Sequence, residues 1–575
     1  MIRLYRFLKP YRAFITGIIV LVFFQTLADL YLPTLMSDIV DEGIMRGNTD
    51  YIMQTGGFML LIAAGGAVCA VIASFLSAKT SLGLGRILRN KIFNRVESYS
   101  LHEFDKLGTS TLITRTTNDI TQIQLVTVII LRIMISAPMM AIGGIILAFY
   151  KDRYLTLVLL AALPVLAAAI GIIASKGMPL FKSIQTKIDK INLILRENLT
   201  GIRVIRAFNR IDHEKARFED ANADLTYNYI KVNRIMAFLM PALMLVMNLT
   251  SIAILWFGSK RIDVGDMEMG SLIAFIQYAA QILFSLLMVS MMFVMVPRAQ
   301  AASERINEVL DIVPEINDPK KAKNADGKRG FVEFRDVTFS YHGAEQPALS
   351  NISFTARPGE VTAVIGGTGS GKSTLINLIP RFYDVDKGSV LIDGVDVREI
   401  SQETLRAKVG YVPQKAVLFS GTITDNIRYG KKDATDEEIR HAAQIAQAAE
   451  FITGMEGGLK HEISQGGTNV SGGQKQRLSI ARALVRKPEI YIFDDSFSAL
   501  DFKTDARLRA ALRKETHSST VIIVAQRVGT VMDADRIIVL DEGKIAGMGT
   551  HKELLNTCEV YREIVSSQLS EEELA

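Results

Sequence analysis

Six stretches of this chain stay apolar over about 20 residues or more, the length a helix needs to cross roughly 30 Å of hydrocarbon. No other feature constrains the fold as much. They occupy residues 13–35, 53–78, 125–150, 154–175, 236–258 and 271–296 of 575. In hydrocarbon each backbone N–H and C=O must find a partner within the protein, and for separate apolar runs of this length the solution is the helix. The preceding segment, RLYRFLKPYR, is basic and aromatic, as suits a short helix lying on a membrane face. The first run is too long for a signal-peptide core and has no small-residue cleavage pattern, so it is expected to remain in the mature chain.

Charge in the connections sets the orientation. Between the first two runs stand Asp38, Asp41, Glu42 and Asp50 against Arg46 alone. Between the second and third stand Lys79, Arg86, Arg89, Lys91, Arg95, Lys106 and Arg115, and the loop from Lys176 to Arg234 is similarly basic. Basic loops stay in the cytosol. Both long loops and both termini are therefore expected there, in a multi-pass protein of the plasma or inner membrane, with Lys151-Asp152-Arg153 a short external link. The long loops carry helical periodicity, as at Ile191, Leu195, Leu199, Ile202 and Ile205. They read as membrane helices continuing about 25–30 residues into the cytosol as rods of ~1.5 Å per residue. Turns are expected near Leu107–Ser110 and Ala207–Asp212.

The chain divides at a polar run, Asn317–Arg329. Residues 1–312 read as the membrane domain, 313–330 as linker and 331–575 as a soluble α/β domain. With 65 basic and 60 acidic residues the net charge of +5 is too balanced for a nucleic-acid binder, and none is expected as partner. Two cysteines, Cys69 in the second run and Cys558 far away, exclude a disulfide framework.

In the soluble part the strand VTAVIG runs straight into Gly366-Gly367-Thr368-Gly369-Ser370-Gly371-Lys372-Ser373, followed by Thr374 and a helical pattern. Glycines let backbone N–H groups turn inward around phosphates, and the helix N-terminus adds positive potential. Lys372 is placed to reach the β- and γ-phosphates, and the Ser373 hydroxyl to bind Mg²⁺. The apolar strand EIYIFD ends in Asp494, a second magnesium ligand at the usual distance behind such a loop. Between them Ser471-Gly472-Gly473-Gln474 opens another helix. Its free N–H groups suit a second phosphate site, and a plain capping turn explains the pattern equally well.

In this order the phosphate loop, VSGGQ and the strand-end aspartate resemble an ABC-family ATPase, whose signature is LSGGQ. With six runs and two long loops ahead of it, the whole chain resembles an ABC exporter half-transporter. The fold class implied is a membrane all-α domain of six helices with long cytosolic extensions, fused to an α/β P-loop ABC ATPase domain. The resemblance implies ATP and Mg²⁺, with Tyr341 stacking on adenine. It makes Gln414 the glutamine that senses Mg²⁺ and contacts the membrane domain, and Asp501 part of the D-loop. It also implies a second half-transporter chain, because each ATP lies between one P-loop and the partner's signature.

Two positions depart from the family. Where it has glutamate after the strand-end aspartate, this chain has Asp495; where it has a histidine on the γ-phosphate, this chain has Gln526. Ser464-Gln465-Gly466 also replaces the usual Gly-Glu-Arg. A carboxylate one methylene shorter is withdrawn ~1.5 Å, and a ~1 Å misplacement can cost about 10² in rate. The chain thus resembles the degenerate-site subunit of bacterial heterodimeric multidrug exporters. Its VSGGQ would complete the partner's hydrolytic site. A slow homodimeric exporter and an ATP-gated channel are the alternatives.

For a path through the membrane, Gln277, Gln281, Phe284, Met288, Met291 or Met292, and Met295 share one face of the sixth run, with Met236, Met240, Met244 and Met247 on the fifth. Polarizable thioethers suit amphipathic small molecules of varied shape, drugs or lipids, although packing against lipid is the plainer reading. The two glutamines tilt the face inward. Asp29 and Arg132 are single charges inside runs, functional candidates by default. Asp29 is expected nearer the outer interface and Arg132 nearer the inner one, which argues against a direct pair.

Overall fold

A computed structural model describes residues 1–325 and 329–568. The expected linker at 313–330 contains 326–328, and the expected nucleotide-binding half ends with 569–575; both segments lie outside the described residues, as does the Met291 side chain.

Six helices among the described residues are long and apolar enough to cross a membrane, and each expected run lies on one of them. We label the helices of this half α1 (Arg12–Asp38), α2 (Thr49–Glu97), α3 (Leu101–Leu107), α4 (Ile120–Lys151), α5 (Arg153–Thr200), α6 (Ile202–Ala207), α7 (Ile211–Ala237), α8 (Leu239–Asp263) and α9 (Met269–Asp311). Prolines sit within α1, α4, α5 and α9, which membrane helices tolerate because neighbouring groups re-satisfy the freed carbonyls. α9 packs against α4 and α1, while α5 packs against α7 and α8.

At the foot of α4 the ladder loosens to a π-turn, Arg115–Asp119. Asp119 is fully buried and takes a two-pronged bond from Arg305 of α9, Nε–Oδ2 2.8 Å and Nη2–Oδ1 2.6 Å. Arg115 donates to the Arg305 carbonyl at 3.1 Å and pairs with Glu308 at 2.8 Å. Removing Arg305 strands the buried Asp119 charge, and because the arginine is 46% exposed the cost falls below the roughly 3–5 kcal/mol of a fully buried pair.

The long loops differ from expectation in one respect. Rather than one turn each, both hold a short helix bounded by two breaks. In the first, α2 stops at Glu97 and α3 begins after Ser100, whose hydroxyl and N–H share the Glu103 carboxylate in a reciprocal cap. Gly108, at φ 73°, ends α3. In the second, α5 reaches Thr200 and breaks at Gly201, where a Cβ would stand 2.9 Å from the Glu197 carbonyl oxygen. α6 then precedes the turn at 208–210.

Two compact units emerge: Met1–Glu97 with Thr109–Ile312, and Ser98–Gly108 with Val313 onward. Helix α3 thus belongs with the soluble part. The Glu103 carboxylate accepts from the Glu315 N–H at 2.8 Å, and the His102 ring lies edge-on to His342 at 5.0 Å.

Among the described residues the soluble unit holds two large sheets, besides a two-stranded pairing of Gly421–Thr422 with Glu462–Ile463. Strands β1 (Val332–Phe339), β2 (Leu349–Ala356), β4 (Lys387–Ile392) and β5 (Val395–Asp396) form an antiparallel sheet in the order β2-β1-β4-β5. The second comprises β3 (Val361–Gly366), β6 (Val409–Val412), β7 (Ile490–Asp494), β8 (Thr520–Val524), β9 (Arg536–Asp541) and β10 (Lys544–Gly549), ordered β10-β9-β3-β8-β7-β6. All its pairings are parallel except β9 with β10. β7 and β8 are buried at every position, as expected of a parallel sheet covered on both faces.

Candidate active site

Ligands of open parallel sheets gather beyond the carboxyl ends of the strands, and here four neighbours deliver their loops together. β3 leads to the phosphate loop, β8 to Gln526, β7 to Asp494 and Asp495, and β6 to Gln414. The register aligns Val524 with both Val364 and Asp494, and Val412 with Phe493, so these ends stand level.

In the phosphate loop Gly369 and Gly371 take φ of 83° and 96°, a region that favours glycine. At Gly371 a Cβ would also stand 2.8 Å from the Ala348 carbonyl. Helix α10 (Lys372–Leu378) follows. Lys372 is buried, and its ammonium donates to the carbonyls of Gly366 at 3.0 Å and Gly367 at 2.6 Å and to Ser370 Oγ at 3.4 Å. Burial holds the ammonium below the usual lysine range, against the pull of Asp495 and Asp494. Thr368 completes the loop. Tyr341, 40% exposed, joins its hydroxyl to Thr374 at 3.0 Å and meets Tyr383 edge-on, so the expected adenine-stacking ring is moored to the same helix.

Asp494 is buried, and burial, with Asp495 adjoining, pushes its carboxyl above the usual range while Ser373 works the other way. The Ser373 hydroxyl donates to Asp494 Oδ1 at 3.1 Å. A serine oxygen beside two close carboxylates is a hard-oxygen set that suits Mg²⁺, and the cation would offset their mutual repulsion. Ser373 and Asp494 would hold the ion, which supplies charge neutralisation at the phosphates.

Asp495 is the first of the two positions at which the sequence departs from the pattern it resembles. Its backbone is left-handed, φ 44°, and Oδ2 accepts from two amides at once, Gln526 Nε2 at 3.1 Å and Gln414 Nε2 at 3.3 Å. The expected Mg²⁺-sensing glutamine thus bonds the carboxylate rather than Asp494.

The signature turn is a cap. Ser471 Oγ accepts from Gln474 N at 3.3 Å and Ser471 N donates to Gln474 Oε1 at 2.8 Å, starting α11 (Gly472–Leu484). A Cβ on Gly472 would meet nothing within 4 Å, whereas one on Gly473 would sit 3.1 Å from the Ala499 carbonyl. The turn is therefore open on one side and seated on the D-loop on the other. Asp501 caps α12 (Phe502–Glu515), accepting from Thr504 N at 2.9 Å.

Sequence reading missed Gln568. It lies beyond α13 (Glu559–Ser566), and its amide grips the Gln526 loop at two points, Nε2 to the Gln526 carbonyl at 2.8 Å and Oε1 from Val528 N at 2.9 Å. No motif marks a contact 42 residues away. Each bond is worth about 0.5–1.5 kcal/mol. Gln568→Ala is expected to hasten release of bound ATP about tenfold with little change in thermal unfolding. Stopped-flow displacement of a fluorescent ATP analogue checks it; an unchanged release rate would show that the clamp does not position the loop.

In the membrane unit, Gln281 Nε2 donates to the Asp29 carbonyl at 3.0 Å. Gln277 and Phe284 are exposed, and Met288 and Met292 are half-buried. The structure brings Asp29 to Gln25, not to Arg132.

Comparison with known proteins agrees with this architecture. The family model of the ABC transporter transmembrane region matches residues 15–286, and a second model, described as ABC transporter, matches 349–498. A Mycobacterium tuberculosis (strain CDC 1551) protein described as an uncharacterized ABC transporter ATP-binding protein is 44% identical over 98% of this chain and 97% of its own length. An ATP-dependent lipid A-core flippase of Vibrio parahaemolyticus is 30% identical over 99% of this chain and 98% of its own. The solved structure of a bacterial Atm1-family ABC exporter with ATP bound matches with a TM-score of 0.81 at 26% identity, over 97% of this chain and 99% of that one. Six apolar helices joined to a P-loop domain, with relatives matching end to end, place this chain among the ABC transporters, as an exporter-type half-transporter of the ATP-hydrolysing kind.

Proposed function

We propose that this chain is the degenerate-site subunit of a heterodimeric exporter that moves amphipathic drugs or lipids out of the cell. The observation that carries this reading is the pair of amides on Asp495 Oδ2. A general base must offer a lone pair toward attacking water, and here two hydrogen bonds hold Oδ2 and its charge, leaving Oδ1 alone to act. The carboxylate is also one methylene short of glutamate. Glutamine donates a hydrogen bond yet carries no positive charge, so the site has neither a well-placed base nor a cation in histidine's place. Its phosphate loop and the Ser373–Asp494 pair are in place, which suits holding ATP rather than cleaving it. Ser471–Gln474, intact and open at Gly472, would complete the partner's hydrolytic site. An apolar membrane face bearing Gln277, Gln281 and Phe284 suits amphipathic cargo, and a relative named as a lipid flippase favours lipids among them.

The test is specific ATPase activity of the purified chain against its 1:1 complex with a similar chain bearing glutamate and histidine at the two altered positions. Activity confined to the complex is expected. Equal activity from the chain alone would leave the slow homodimer as the better reading.

The loop charges support an orientation with both termini in the cytosol. A cysteine introduced at Asn48 is expected to react with an impermeant thiol reagent on intact cells, and one at Thr109 only after lysis. The reverse pattern would invert the orientation.

A further inference from the structure

We propose that Arg132, Gln25 and Ser136 form a binding site for the anionic headgroup of a membrane amphiphile, which names the substrate class within the export reading and rests on it.

Val128, Ile129, Arg132, Ile133 and Ser136 fall on one face of α4, and with Val22 and Gln25 of α1 they line a cavity of about 230 Å³. That is smaller than the roughly 300–1,000 Å³ that encloses a drug-sized ligand, so the cavity takes a headgroup and leaves the chains outside. Four of the seven lining residues are aliphatic, and the polar groups are a guanidinium, an amide and a hydroxyl. All three can donate, and a guanidinium stays charged at any physiological pH.

The arginine's surroundings do not account for it. Among the described residues no carboxylate lies within ion-pair distance of Arg132. Asp29 is hydrogen-bonded to Gln25 and does not line the cavity. Depth decides the ligand. Arg132 stands about 28 Å along α4 from Lys151, at the far boundary of a hydrocarbon layer roughly 30 Å thick. Headgroups lie at that level. A phosphate there meets a planar fork that binds two oxygens at once, with Gln25 and Ser136 as further donors, while the alkyl chains remain in lipid.

The experiment uses the full chain in a neutral detergent micelle, with retained lipid read by native mass spectrometry. The probes are phosphatidylglycerol and phosphatidylcholine of equal chain length. The wild type is expected to retain phosphatidylglycerol about tenfold better, the effect of one charge-assisted contact. Arg132→Gln should bring the two lipids to parity, Arg132→Lys should keep part of the preference, and Lys260→Gln, on α8 and outside the cavity lining, should keep all of it. If Arg132→Gln does not fold, as judged by thermal unfolding and ATP binding, Gln25→Leu serves instead and should reduce the preference several-fold. Undiminished preference in the variant that folds would overturn the proposal. So would full displacement by inorganic phosphate, which would make this a free-anion site, or stronger retention of tetraphenylphosphonium, which would make Asp29 the recognising charge. The readout involves no hydrolysis, so failure of the degenerate-site reading and failure of this site are told apart.

Discussion

Ser471→Arg in this chain is expected to lower steady-state turnover of the working dimer at least about 10²-fold, the usual consequence of losing donors aimed at developing charge. Ser471 caps α11, and with the cap intact the first N–H groups of that helix face an open turn at Gly472. Arginine removes the cap hydroxyl, worth about 1 kcal/mol, and fills the opening through which, on the proposed reading, a partner's nucleotide enters. Lys372→Ala is the contrasting change. It removes the buried ammonium held by the Gly366 and Gly367 carbonyls, which should weaken ATP retention in this chain's own site and slow the cycle while leaving measurable hydrolysis. ATPase assays of the two heterodimers, each with an unmodified partner, compare them. Should Lys372→Ala be the deader variant, hydrolysis occurs at this chain's own P-loop and the degenerate-site reading fails.

The parts legible in sequence are those written in neighbouring residues. An apolar run of membrane length is a local pattern, and so is a glycine-rich loop between strand and helix; all six spans and the phosphate loop sit where they were expected. The short loop helices were half legible. The Ser100-x-x-Glu103 cap is a pattern that announces a helix start, and reading it would have placed α3, whereas Gly201 carries no such signature. What escaped depends on strand order and on helices meeting across long separations. Asp119 and Arg305 lie 186 residues apart, and nothing local distinguishes them from other surface-loop charges. Gln414, Asp495 and Gln526 were each singled out, but their convergence on a single oxygen follows from β6, β7 and β8 being adjacent. Gln568 meets the same loop across a separation of 42 residues.

That convergence also defines what restoring the site requires. Asp495→Glu together with Gln526→His is expected to raise ATP turnover by the isolated chain about 10²-fold or more. Glutamate advances the carboxylate by one methylene, and positional errors of ~1 Å are worth about 10² in rate. Histidine in place of Gln526 removes one of the two amides that bond Asp495 Oδ2 and offers a ring nitrogen able to carry charge. The backbone resists slightly. At φ 44° position 495 is left-handed, a conformation aspartate accepts more readily than glutamate, and the strain for an L-residue is roughly 1–2 kcal/mol. That is below the ~2.7 kcal/mol to which a hundredfold rate gain corresponds, so the double variant should fold and still gain. Because base and γ-phosphate contact act as a unit, each single change should recover far less than its share. The measurement is phosphate release by the two single variants, the double variant and the wild type, each purified without a partner. A double variant no faster than the wild type would place the defect elsewhere, in Ser464-Gln465-Gly466 or in the pairing of the two chains, and would mean that Asp495 and Gln526 are tolerated drift.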